Sequence, residues 1–219
     1  MAFSHILFDL DGTLTDPKEG ITKCVAYALA SFGVQVADLD ELCRFIGPPL
    51  RQSFADYYGF SAQDAEGLVA KYRERYTDIG IFENRLFDGV EQMLKALKAA
   101  GKTIGLATSK PEIFAQRILE KYGIDGYFDV VVGSLLDGTR DAKDEVIAEA
   151  LRRLNLSDAQ KPYCIMVGDR HYDIAGGKAF GLATAGLRLG YAEDGELEAA
   201  GADFIAADIA ELCDYLLQD

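Results

Sequence analysis

The four cysteines, Cys24, Cys43, Cys164 and Cys213, form no CxxC pair and no metal-binding spacing. That fits reduced, mostly buried thiols better than a disulfide framework. No run of about eighteen apolar residues occurs, and the opening Met1-Ala2-Phe3-Ser4-His5 lacks the basic-then-apolar pattern of a secretion signal. A soluble, cytoplasmic chain with no membrane partner is therefore expected. Basic charge is scarce: 22 Lys and Arg against 36 Asp and Glu leave a formal net charge of -14. No basic stripe is present, which argues against a nucleic-acid partner, because such binding rests on clustered cations. An anionic small molecule remains admissible, provided that a cation and a few aimed donors reverse the field locally. Internal repeats, low-complexity tracts and long linkers are also missing.

What is present is enough apolar residue, 49% of 219, for one core domain and an insert. Apolar runs of strand length at 6–10, 103–108, 130–133, 163–167, 183–187 and 203–205 alternate with segments of helical period. That pattern predicts an α/β fold with a doubly wound parallel sheet. Asp88 with Glu91, and Ser109 with Glu112, have capping-box spacing before two of the helices, and Pro111 suits a first turn. A third helix, from about Asp141, places Val146, Ile147, Ala150, Leu151 and Leu154 on one face. Residues 17 to 86 break the alternation with successive helical patterns, such as Leu68, Val69, Tyr72 and Tyr76. They are expected to form an inserted helical cap domain over the strand ends, with 1–16 and 87–219 as the core domain.

Chemistry concentrates at the ends of the apolar runs. In Phe8-Asp9-Leu10-Asp11-Gly12-Thr13 two carboxylates separated by one residue fall on the same side if the strand continues. Such a pair repels itself, a cost that a divalent cation can offset. Gly12 permits a sharp turn and Thr13 offers a hydroxyl; an ordinary Asp-Gly turn reads the same way. Val167-Gly168-Asp169-Arg170-His171-Tyr172-Asp173 repeats the device, with Asp169 as a candidate metal ligand. Asp173 is either a supporting carboxylate or a plain helix N-cap. At Thr108-Ser109-Lys110 a hydroxyl and the amides of the following helix could face an anion. Lys143 falls in a first helical turn, where the helix dipole disfavours a cation, so a bound anion would explain it; an exposed lysine would also fit.

These four segments, in this order, resemble the haloacid dehalogenase superfamily, whose phosphatases carry a DxDGT loop, a Ser or Thr, a Lys and a GDxxxD pair. The resemblance covers essentially the whole chain, including a helical cap after the first motif. Ile46-Gly47-Pro48-Pro49-Leu50-Arg51, Gly138-Thr139-Arg140 through Lys143, and Gly168-Asp169-Arg170-His171 look most like the phosphoglycolate phosphatase and bacterial 5'-nucleotidase-like branch. The resemblance implies a Mg2+-dependent phosphatase acting on a small phosphorylated metabolite. Asp9 would be the nucleophile, and Asp11 the acid and base. Asp9, the Asp11 carbonyl, Asp169 and Asp173 would hold the metal, and Thr108 and Lys143 would hold the phosphoryl oxygens. Thr13, Ser109, Lys110 and Arg51 are candidate substrate contacts, Arg51 because a guanidinium grips carboxylate or phosphate bidentately. His171 could approach the site, whereas His5, at the start of its strand, is expected to be structural. A phosphomutase is the nearest rival, but mutases of this kind tend to carry a histidine at the cap hinge, where this chain has Ile21. A non-catalytic binding protein on the same fold is the rival of a different class. Monomer and homodimer both remain open.

Overall fold

The computed structural model describes residues 2–218. In chain order the elements are β1 (His5–Phe8), β2 (Thr15–Asp16), α1 (Lys18–Ser31), α2 (Leu50–Tyr58), α3 (Ala62–Tyr76), β3 (Arg85–Leu86), α4 (Val90–Ala99) and β4 (Thr103–Pro111). They continue with α5 (Glu112–Tyr122), β5 (Val130–Ser134), α6 (Lys143–Arg153), β6 (Cys164–Gly168), α7 (His171–Ala179), β7 (Ala183–Leu187), α8 (Glu196–Ala199), β8 (Phe204–Ala206) and α9 (Ile209–Leu217). The chain divides into two compact units, Met1–Thr15 with Leu86–Asp219, and Asp16–Arg85.

The first unit is built on a six-stranded sheet in the order β5-β4-β1-β6-β7-β8, with every pairing parallel. Strands buried on both faces must be apolar throughout, as Ile6, Leu7 and Phe8 of β1 and Ile165, Met166 and Val167 of β6 are. Helices supply the cover. The predicted stripe on α6 buries Val146, Ile147, Ala150 and Leu151 against Leu7, Ala107, Val132 and Met166, with Leu154 half-buried beside them. From β1 the chain passes to β4 and β5 on one side, then crosses to β6 on the other side of β1. That reversal puts a crevice at the carboxyl ends of β1 and β6, the place where open α/β sheets bind ligands.

Two helix starts differ from expectation. The residue before α4 is Gly89, at φ 90°, and no side chain caps the helix, so Asp88 and Glu91 form no capping box. The Ser109 box fails as well, because β4 runs on to Pro111 and the helix begins only at Glu112. Pairing with β5 holds the chain extended there, although the register slips between Ala107 and Pro111. The third helix begins at Lys143, two residues later than expected, and the Glu145 carboxylate accepts from the Ala142 amide at 3.2 Å.

The second unit is helical. Its α1, α2 and α3 close on a core that includes Val25, Leu29, Phe45, Phe54, Leu68 and Tyr72, and Phe45 packs its ring 5.1 Å from Phe54. Arg75 meets Glu83 through two hydrogen bonds, of 2.6 and 2.9 Å, and fastens the end of α3 to the returning chain. The two-residue strands β2 and β3 were not expected, being too short for a periodic signal.

Candidate active site

Asp9 follows β1 directly, and its amide donates to Val167 O of β6 at 2.9 Å. With Phe8 opposite Val167 in the register, the first and last acidic motifs emerge side by side. β1 stops at Phe8, so strand alternation does not orient Asp9 and Asp11. A tight turn does: the amides of Thr13, Leu14 and Thr15 all donate to Leu10 O, and Gly12 adopts φ 83°. A Cβ on Gly12 would strike the Asp169 carboxylate, as would one on Gly190. Missing side chains therefore leave room at this carboxylate from two directions.

Carboxylate oxygens of Asp9, Asp169 and Asp173 lie within 4.8 Å of one another, and all three residues are buried, at 4%, 0% and 1% exposure. Burial in apolar surroundings beside two like charges holds Asp169 well above the usual carboxylate range. Burial also raises Asp173, to about 6, against the pull of Lys143. Lys143 Nζ lies 2.8 Å from Oδ1 of both Asp9 and Asp173, while its well-directed hydrogen bond goes to Ala107 O at 3.1 Å. Burial alone would depress this ammonium, but Asp173 and Asp9 more than reverse that, so it stays charged. The anion at this helix start is thus the protein's own carboxylate pair.

Asp11 sits at 7% exposure with Lys110 against its Oδ2. Burial pushes its carboxyl above the ordinary value, although Lys110 opposes the shift. Thr108, also buried, accepts from the Lys110 amide at 3.3 Å through Oγ1, which leaves the hydroxyl hydrogen available to a ligand oxygen. Ser109 lies half-buried in the irregular stretch of β4 and not at a helix start. The Thr13 hydroxyl, read from sequence as a substrate contact, is fully buried and points at Asp169 Oδ1, 3.3 Å away. Arg51 pairs through Nε with Glu66 of α3.

Asp173 is the third residue of α7, and its Oδ2 accepts from the Arg170 amide at 3.1 Å, so it serves the helix start as well as the acidic cluster. Two further contributors went unread in the sequence. The Tyr191 amide donates to Asp169 Oδ2 at 2.8 Å. Glu196 Oε1 accepts from Arg170 Nε at 2.9 Å, the His171 amide at 2.8 Å and His171 Nδ1 at 2.7 Å, which ties the chain after β7 to the start of α7. Burial works against the Glu196 charge, but these donors prevail and hold its carboxyl at about 2. His171 is thereby committed to Glu196. The glycine at 190, just past an apolar run, was the one readable signal for this segment.

Several of these groups suit a divalent cation. Among the described residues, Asp9 Oδ1, Asp173 Oδ1 and Asp11 Oδ1 are buried without a well-directed hydrogen-bond donor. Hard oxygen donors carrying excess negative charge are what magnesium requires.

A parallel sheet with acidic loops meeting at its reversal point places carboxylates where such sheets bind ligands. The description "Haloacid dehalogenase-like hydrolase" matches residues 6–187, and the chain belongs to that family. It is 44% identical to a 5'-nucleotidase of Pseudomonas aeruginosa over 97% of this chain and 95% of that one. A solved "predicted phosphatase" from Clostridium acetobutylicum superposes with a TM-score of 0.95 at 42% identity, covering 99% of both chains. A tyrosine-protein kinase of Mycobacterium tuberculosis, PtkA, is 38% identical over 85% of this chain, which spans 62% of its length. Among the described residues no helix is long and apolar enough to cross a membrane.

Proposed function

We propose that this hydrolase is a magnesium-dependent phosphatase that cleaves a small-metabolite phosphomonoester, of 5'-nucleotide type, through an aspartyl-phosphate on Asp9. The observation that carries the reading is the convergence of three buried carboxylates and one buried ammonium on the crevice between β1 and β6. Asp9 Oδ attacks phosphorus; the new O–P bond forms as the ester P–O bond breaks, and the leaving alkoxide takes a proton from Asp11. Burial raises the Asp11 carboxyl against the pull of Lys110, the direction that a proton donor needs. Water then attacks phosphorus and gives a proton back to Asp11, while the Asp9–phosphorus bond breaks and inorganic phosphate leaves.

Asp9, the Asp11 carbonyl and Asp169, with Asp173 in support, would hold magnesium, which when bound supplies positive charge to the phosphoryl oxygens. Thr13 and the Tyr191 amide fix Asp169 from either side. Thr108 donates its hydroxyl hydrogen and Lys143 its charge to the equatorial oxygens. In this reading 1–16 and 87–219 cleave the ester, and 17–86 select it. The 44% identity to a 5'-nucleotidase supports nucleoside monophosphates as the first esters to try.

A panel of nucleoside monophosphates, phosphoglycolate and sugar phosphates, assayed for phosphate release with and without magnesium, tests the proposal. Release that needs magnesium and disappears in Asp9→Asn is the expected result. A mutase would leave little free phosphate, a binding protein would turn nothing over, and either outcome ends the reading.

A further inference from the structure

Both lysines of the acidic cluster arrive on irregular backbone. Lys110 lies where the register of β4 slips against β5, and Lys143 follows the eight-residue connection 135–142. Behind these two segments stands a charge network that the reaction does not use. Arg140 donates from Nε to Gly133 O at 2.8 Å and from Nη2 to Glu112 Oε2 at 2.8 Å. Arg153 grips both oxygens of the same glutamate, at 3.1 and 3.0 Å, and the Gly133 amide adds a contact of 3.3 Å. Glu112 is two residues beyond Lys110, and Arg140 is three residues before Lys143. The strand end and the Lys110 segment approach so closely that a Cβ on Gly133 would run into the backbone of Lys110 and Glu112.

The backbone of Arg140 adds a second, independent observation. Its φ is 56°, in the left-handed region that a long side chain occupies only at a cost. The other non-glycine with positive φ among the described residues is Asn155, whose residue type tolerates that region. At Arg140 nothing in the turn favours arginine; glycine would fit better. What arginine adds is a rigid planar fork that holds a carbonyl and a carboxylate in a fixed mutual geometry, which the compact, rotatable ammonium of lysine does not impose. Its side chain is 17% exposed, unlike the free-standing pairs of the surface.

We propose that Arg140 is a positioning residue: with Glu112 and Arg153 it clamps the segments carrying Lys110 and Lys143, and so keeps Lys143 on Asp9 and Asp173 and Lys110 on Asp11. The kinetic consequence rests on the phosphatase reading; the placement of the lysines does not. Loosening the clamp frees Lys143 from the nucleophile, so that Asp9 is misaimed and kcat suffers more than KM.

The test uses limited acetylation of the intact protein with acetic anhydride, with modification at each lysine read by mass spectrometry and exposed Lys71 as the internal reference. Arg140→Gly removes the fork and relieves the backbone; Arg140→Lys keeps the charge and loses the fork. In both variants Lys143 acetylation, relative to Lys71, should rise clearly above that of the unaltered protein. Amide exchange at Ile6 and Leu7 should stay unchanged, which separates loosened lysines from a loosened fold. A ratio unchanged from that of the unaltered protein in both variants would overturn the clamp. If Arg140→Gly does not fold, Arg140→Lys decides by the same criterion. In parallel, kcat for p-nitrophenyl phosphate should fall about ten-fold with a smaller change in KM. An unaltered kcat counts against the proposal. If the unaltered protein shows no turnover, the phosphatase reading fails, and the acetylation ratio still judges the clamp.

Discussion

In the sheet-bearing unit, Asp9, Asp11, Lys110, Lys143, Asp169 and Asp173 are all at 9% exposure or less. In the helical unit most charges stay in water and pair off locally, as Lys23 does with Glu19 at 2.5 Å and Lys71 with Glu74 at 3.0 Å. Its most enclosed pair, Arg75 and Glu83, keeps about a fifth of each side chain exposed. Exposed pairs are nearly neutral energetically, whereas buried charges cost several kcal/mol each unless fully matched. The carboxylates of Asp9, Asp169 and Asp173 beside the one ammonium of Lys143 are not matched. The contrast separates charge that keeps a protein soluble from charge that answers to a ligand.

Substitutions can break or sharpen that contrast, and the largest effect belongs to Asp9→Asn. It should lower phosphate release by about 10⁴-fold or more, as loss of a nucleophile does, while Lys71→Ala leaves the rate unchanged in the same assay. Lys143→Ala comes next: with the ammonium gone, the buried carboxylates lose their counter-charge, and urea unfolding should show a loss of about 3–5 kcal/mol. Magnesium at about a hundred times its dissociation constant should stabilise the unaltered protein by about 2.7 kcal/mol, and the thermal midpoint should show it. Asp169→Asn should erase that response.

Glu196 stands between the two regimes. Its carboxyl is held at about 2 in the folded protein, below the unfolded value of about 4.3. Its contribution is therefore fully present above about pH 4.3 and is lost as pH falls toward about 2. Unfolding followed against pH should show Glu196→Gln well below the unaltered protein at pH 6, with the gap closing through that acid window. The smallest effect belongs to the helical unit, where removing either member of the Arg51–Glu66 pair should change stability by no more than about 1 kcal/mol. A loss several times larger would erase the distinction between the two units.

Much of this was legible in the sequence, because a strand buried on both faces has few ways to be written. The six apolar runs became the six strands of the main sheet to within two residues at either end, except that β4 runs three residues further, to Pro111, and the acidic motifs announced themselves by ending those runs. The capping boxes misled because backbone pairing and a left-handed glycine decide a helix start before side chains can. Lys110 carried the right charge, but its partner is 99 residues away and had no local signature. Glu196 and the Tyr191 amide were invisible for the same reason, since their partners lie about twenty residues earlier and are reached only when the chain turns back after β7. Arg140 stood in a quoted motif, yet its conformation and its fork became meaningful only beside Glu112.

The order of strands also governs when the protein can become competent during its synthesis. β1 is made first but lies at the middle of the sheet, and one of its two neighbours begins only at Cys164. Until a ribosome has added β6 and the stretch that brings Gly190 and Tyr191, the acidic loop of β1 can meet Lys110 and Lys143 but not Asp169. A nascent chain that stops short of β6 therefore carries its nucleophile without the carboxylates of Asp169 and Asp173.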